Sequence, residues 1–128
     1  IMNTFLFVYG SLKEGFHNHY KLVNYQKIGK AITSEKYCMY AESNNRFPYV
    51  IKEISKFNIK GELYKIDETL LKNIDIFEGT PIHYIREEIT VLIKEKEYKA
   101  FIYFKNQNNE KLIMDTKELD EWNPIIEF

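Results

Sequence analysis

Two short segments hold residue types able to bind an anion and to move a proton. The first is Phe7-Val8-Tyr9-Gly10-Ser11-Leu12-Lys13-Glu14-Gly15, an apolar run that opens into a loop with a glycine at each end. A chain leaving a buried strand in this way presents unpaired backbone N–H groups, and such concavities bind carboxylates, phosphates or oxyanions. No Gly-Lys-Ser/Thr closes the loop and its glycines lack the dinucleotide spacing, so neither nucleotide-binding pattern applies. The second segment is Asp75-Ile76-Phe77-Glu78-Gly79. A carboxylate at a helix C-terminus faces the negative end of the helix dipole, and burial beside Phe77 adds a desolvation cost of the same sign. Both raise the pKa of Glu78 toward the range where a carboxylate takes and returns a proton near neutral pH. Local sequence alone also admits plainer accounts. The loop reads as a glycine-assisted turn leaving a core strand, and Glu78 as a solvated residue at a frayed helix end.

Other reactive side chains carry less. His17, His19 and His83 are the only histidines, and none has a partner at helical metal-ligand spacing, so no metal site is expected. Cys38 stands alone between Tyr37 and Tyr40, which excludes an internal disulfide and reads as a buried small hydrophobe. Ser11 lacks the context of a nucleophile and reads as a loop donor. Trp122 reads as a packing anchor for the C-terminal segment.

The elements that must position these residues follow from pattern. Thr4–Tyr9 reads as a strand buried on both faces. A short helix is expected over His17–Val23, with Tyr20 and Val23 sharing a face. Tyr25–Ser34 and Lys36–Ala41 read as two strands, Glu42–Arg46 as a turn, and Phe47–Ile51 as an edge strand because it carries Pro48. Asn58–Ile66 alternates as a strand. The best helix starts at the N-cap Asp67, runs an apolar stripe through Leu70, Leu71, Ile74 and Phe77, and stops at Gly79 before Pro81. Tyr84–Ile93 and Glu97–Phe104 form a hairpin across Lys94-Glu95-Lys96, with Ile89, Val91 and Ile93 on one face. Asn106–Glu110 reads as a polar loop, and Asp115–Trp122 as a short helix. The fold class is α+β, mainly β: a small curved mixed β-barrel or strongly curved sheet with peripheral short helices, a choice that periodicity leaves open.

Composition bounds the function. The chain has 128 residues, 45% hydrophobic and 29% charged, in the size range of one domain spanning 1–128. Ten Tyr and nine Phe tilt it toward sheet. With a formal net charge of -1 and no dense Lys/Arg cluster, nucleic acid is not expected as a partner. No apolar run approaches the ~20 residues of a membrane helix, and the start has no signal-peptide pattern; a cytoplasmic protein that contacts no membrane is expected.

Taken together, these segments resemble the gamma-glutamylcyclotransferase-like family, especially its gamma-glutamylamine cyclotransferase branch. The matching residues are Val8–Lys13 with Gly15, Asn18-His19, Gly61–Tyr64, Ile66-Asp67, Leu70-Leu71, Ile74-Asp75, Phe77-Glu78, Tyr84, Arg86 and Ala100–Tyr103. The resemblance implies a curved β-barrel with a pocket at one end and a reaction without cofactor. In that reaction the α-amine of a gamma-glutamyl group attacks its own γ-carbonyl, giving 5-oxoproline and releasing an amine. It places the acid–base role on Glu78 and the substrate loop on Tyr9, Gly10, Ser11 and Leu12. Tyr84, Arg86 and Tyr103 are further pocket candidates, Arg86 having Glu88 as an alternative partner. The leaving group and oligomeric state stay open. So do two other functions: a non-catalytic binding module for a carboxylate-bearing metabolite, and a gamma-glutamyl hydrolase or acyltransferase.

Overall fold

Strand β1 (Thr4–Val8) is apolar from Phe5 onward, and its buried residues Leu6, Phe7 and Val8 are covered on both faces. Phe7 points into the main core, while Leu6 and Val8 point the other way, onto the helix α1 (Glu68–Glu78). A computed structural model describes residues 3–42, 46–107 and 117–123. Around β1 lie β2 (Gln26–Ala41), β3 (Pro48–Ile51), β4 (Phe57–Ile66), β5 (Tyr84–Ile93), β6 (Lys96–Lys105) and β7 (Glu118–Leu119). The strand order β3-β2-β4-β1-β6-β5 closes on itself through Ile32↔Leu92 and Thr33↔Val91, so β2, β4, β1, β6 and β5 form a five-stranded barrel. Pairing is antiparallel except between β1 and β6, where Leu6 opposes Phe101 in parallel. The barrel is therefore mixed and closed.

Alternation supplies the core. Along β4, Ile59 and Leu63 face inward with Phe7, Ala100, Ile102 and Val91, while Tyr64 and Ile66 face outward. The outward set meets Leu70, Leu71 and Ile74 of α1, which lies across the outside of the barrel. Asp67 caps this helix as expected, its Oδ1 accepting from the Leu70 N–H at 2.8 Å. Phe77 departs from the expected stripe: it is 40% exposed, at the end of the helix that runs past the edge of the barrel core.

Three other expectations change. Tyr25–Ser34 and Lys36–Ala41 are one long strand, with a bulge between Ile32 and Lys36 where the sequence suggested a break. The Thr33 hydroxyl donates to the Glu35 carbonyl and accepts from the Ile59 N–H, filling the gap in the ladder. The helix expected over His17–Val23 is a single 3-10 turn, His19–Lys21. Tyr20 and Val23 are exposed, so their shared face has nothing to bury against and so short a helix gains little. In place of a helix over Asp115–Trp122, the described part is extended, with Glu118–Leu119 pairing onto Tyr40 and Met39. The exposed backbone edge of β2 and the buried seat of Trp122 outweigh the local helix preference. Asp115, Thr116, residues 43–45 of the expected turn and residues 108–110 of the expected polar loop lie outside the described residues.

At Gly61, β4 runs close against β1. A Cβ there would lie 2.4 Å from the Val8 carbonyl oxygen and 2.7 Å from Phe7 Cζ. The first of these is backbone and has no rotamer to yield. Gly61→Ala is expected to lower the urea midpoint by the equivalent of about 1–3 kcal/mol with an unchanged m-value, as overpacking does. An unchanged midpoint would show that the two strands can separate at no cost.

Candidate active site

The chain leaves β1 at Val8 and turns through Tyr9, Gly10, Ser11 and Leu12. This loop lines a cavity of about 320 Å3. The other walls come from Phe77 and Glu78 at the end of α1, Tyr84 at the start of β5, Tyr103 on β6, Phe47 and Pro48 at β3, and His17 with Asn18. The size lies at the lower end of the ~300–1,000 Å3 typical of small-molecule sites. Seven of the eight site residues expected from the sequence line the cavity: Tyr9, Gly10, Ser11 and Leu12 share one loop, while Glu78, Tyr84 and Tyr103 each come from a different element, so only the fold unites them.

The loop is held so that its carbonyls face protein. The Gly10 carbonyl accepts from the Lys13 N–H at 3.0 Å, and the Ser11 carbonyl from the Asn18 N–H at 3.0 Å. The Leu12 carbonyl lies 2.9 Å from His19 Nδ1, and the Asn18 amide donates to the Ser11 hydroxyl at 2.9 Å. Among the described residues, the N–H groups of Gly10, Ser11 and Leu12 donate to no protein group. These are oriented donors of the kind that bind a carboxylate or an oxyanion. Gly10 is required by close approach, since a Cβ there would meet Pro48 Cγ at 2.9 Å. Beyond the loop, the Glu14 N–H donates to Glu62 Oε1 at 2.8 Å, and buried Lys13 donates to the Trp122 carbonyl at 2.6 Å. Trp122 is thus an anchor, and the bond ties the C-terminal segment to the loop.

Glu78 is the last residue of α1. Gly79 caps it in the left-handed conformation, φ 65° and ψ 41°, with its N–H returned to the Asp75 and Ile76 carbonyls. Burial pushes the Glu78 carboxyl up to about 7, against the opposing pull of the Lys105 ammonium. Lys105 lies over the rings of Tyr84, at 5.3 Å, and Tyr49, at 5.7 Å. The Tyr9 phenol is held well above its ordinary value, chiefly by burial and then by Tyr84 and Glu78. It remains a donor, bonded to the Tyr103 carbonyl at 2.7 Å.

Tyr103 and Arg86 meet at a residue not expected in this role. Asp75, one turn before Glu78, accepts from the Tyr103 hydroxyl at 2.7 Å and from Arg86 Nη1 at 2.9 Å. Arg86 is not among the residues lining the cavity, and its partner is Asp75 rather than Glu88; its guanidinium also lies 4.7 Å over the Phe101 ring. The Asp-x-x-Glu spacing at the helix end was the available signal for Asp75, since i and i+3 share a helix face. Nothing local marked Phe47, Pro48 or His17 as cavity walls. Asn18 carried a signal only through its place in the family resemblance. Among the described residues no group of three or more His, Cys, Asp or Glu side chains is placed to hold a metal ion.

The arrangement offers backbone donors and a carboxyl near neutrality in one partly apolar cavity. Its relatives are named for gamma-glutamyl chemistry. The family model described as gamma-glutamyl cyclotransferase, AIG2-like, matches residues 6–124. A protein of Methanocaldococcus jannaschii, named for gamma-glutamylcyclotransferase, is 44% identical over 102 residues, covering 78% of this chain and 82% of its own. The gamma-glutamylaminecyclotransferase of Rattus norvegicus is 31% identical over 98 residues, covering 72% of this chain and 66% of its own. An AIG2-like protein from Mus musculus superposes with a TM-score of 0.85, covering 94% of this chain and 88% of its own; at 23% identity it speaks for the fold alone. By the extent of the family match, and by relatives at this identity and coverage, the chain belongs to the gamma-glutamyl cyclotransferase, AIG2-like, family.

Proposed function

We propose that this protein cyclises a gamma-glutamyl amine or gamma-glutamyl amino acid to 5-oxoproline, with Glu78 as general base and then general acid. The single observation that carries this reading is the presence of Glu78, its pKa near 7, in one cavity with the Tyr9–Leu12 loop. The substrate's α-ammonium cannot attack until it loses a proton, and the Glu78 carboxylate takes it. The freed nitrogen adds to the γ-carbonyl carbon, and negative charge develops on the carbonyl oxygen. The N–H groups of Gly10, Ser11 and Leu12 are suited to hold that oxyanion or the substrate's α-carboxylate. The tetrahedral centre then collapses, the bond to the leaving nitrogen breaks, and Glu78 returns its proton to that nitrogen. The ring nitrogen still holds a second proton after attack; it gives this up as the lactam forms, and the amine leaves as its ammonium ion, so atoms and charge balance without any further reactant. Holding the two ends of one substrate together is itself worth several kcal/mol of barrier.

Tyr9, Tyr84 and Tyr103 form substrate-binding walls in this reading, and Arg86 acts from behind through Asp75 and Tyr103. The partner is then a small molecule, not nucleic acid or a membrane. No described helix is long and apolar enough to cross a bilayer, and we place the reaction in the cytoplasm, in one domain spanning 1–128.

Replacing Glu78 by Gln keeps the size of the side chain and removes its proton traffic. Release of 5-oxoproline from the best gamma-glutamyl substrate should fall about a hundredfold to ten-thousandfold. Equal turnover would remove Glu78 from the mechanism. Bound substrate with no turnover in either protein would favour the binding module, and transfer to water or an added amine would favour the hydrolase or acyltransferase.

The same group makes a stability prediction. A carboxyl whose pKa is higher folded than unfolded holds its proton more tightly in the folded state. Its contribution is intact below about 4.5 and is lost as pH rises through about 7. Glu78→Gln should therefore gain on wild type between pH 5 and pH 8.5 by on the order of 2 kcal/mol in urea unfolding. A gap that does not change with pH would contradict the raised value.

A further inference from the structure

The cavity has a floor and a rim of different character, and the rim bears on the leaving group. This inference rests on the cyclotransferase reading above. Tyr9, Leu12 and Tyr103 are at most 7% exposed and make the floor, beside the loop donors. Phe47 and Phe77 also line the cavity, yet they are 39% and 40% exposed, so they mark its mouth. A gamma-glutamyl group held by the loop and Glu78 occupies the floor. Its scissile amide then directs the departing amine outward, between the two phenylalanines.

Lys21 places a positive charge at that mouth. Glu78 is the single acidic group among the described residues lining the cavity. Asp75, a turn away, is already engaged by Arg86 and Tyr103. Lys21 projects from the 3-10 turn with its Nζ 4.6 Å from the centre of the Phe77 ring and 5.2 Å from that of Tyr20. The ring face holds the ammonium at the mouth without neutralising it. A polyamine or other cationic leaving group would meet the like charge of Lys21 there. An apolar body would be covered by Phe47 and Phe77, and an anionic end would meet Lys21.

We infer that the leaving amine belongs to an amino acid with an apolar side chain: Phe47 and Phe77 enclose the side chain, and Lys21 meets the free carboxylate.

The test measures 5-oxoproline release by the full chain from gamma-glutamyl-phenylalanine, gamma-glutamyl-phenylalanine amide and gamma-glutamyl-putrescine. The expected order of kcat/KM is acid above amide, with putrescine last. Lys21→Gln is expected to narrow the acid-over-amide ratio about fivefold, the upper end for an exposed charge pair. A structural effect of the substitution would lower both substrates alike and leave that ratio in place. Phe77→Ala should cost the phenylalanine compounds more than putrescine. Putrescine turned over as well as the acid, or a ratio that Lys21→Gln does not move, overturns the inference while leaving the cyclotransferase intact. Silence on all three compounds in wild type counts against the cyclotransferase itself and takes the inference with it.

Discussion

The double burial of β1 is the constraint from which the site follows. Five residues must satisfy the inside of a barrel with one face and the underside of a helix with the other, so the strand can neither slip nor tilt. A one-residue shift would exchange Phe7 with Leu6 and Val8 and empty both clusters at once. Its two neighbours are fixed with it, β4 through the glycine contact at Val8 and β6 through the parallel pairing at Leu6. The strand therefore delivers the Tyr9–Leu12 loop at a defined place and direction. The same helix that covers its outer face ends in Glu78. One packing interface thus sets the distance between the donors and the acid.

The electrostatics around that interface divide into two compartments. On the outer side Asp75 is satisfied by Arg86 and the Tyr103 hydroxyl, so its charge is spent on holding the wall. On the cavity side Glu78 has no such partner strong enough to keep it ionised, and Lys105 only moderates the effect of burial. Two carboxyls a turn apart on one helix so stand in different environments: one is held by hydrogen bonds and the other is pushed toward neutrality by burial. A pocket that was uniformly polar would solvate both and blur that difference.

Much of this was legible in the sequence wherever a local pattern and the tertiary environment agree. The continuous apolar run of β1, the Asp67 cap, the Gly79 stop and the β5–β6 hairpin each need one physical rule, and the closed fold uses each as its rule suggests. The loop and Glu78 were visible as a pair through the family resemblance. What was hidden depends on contacts between distant segments. The bulge at Ile32–Lys36 looked like a break because Thr33 replaces a backbone partner with its own hydroxyl. The extended form at Glu118–Leu119 is imposed by the edge of β2, which no window around Asp115 contains. Phe47 and Phe77 read as an edge-strand residue and a stripe residue. Only their exposure at a shared opening gives them another part.

The parallel pairing of β1 with β6 has a consequence in time as well as in space. The Tyr9 hydroxyl closes on the Tyr103 carbonyl across 94 residues of chain. Contacts of such separation are slow to form, because the loop entropy between them must be overcome before they contribute. The loop with the backbone donors thus leaves the ribosome early and waits, unpositioned, until β6 has been made. The cavity as described is complete only when the closing strand is in place, since Tyr103 is both its wall and the partner of Tyr9.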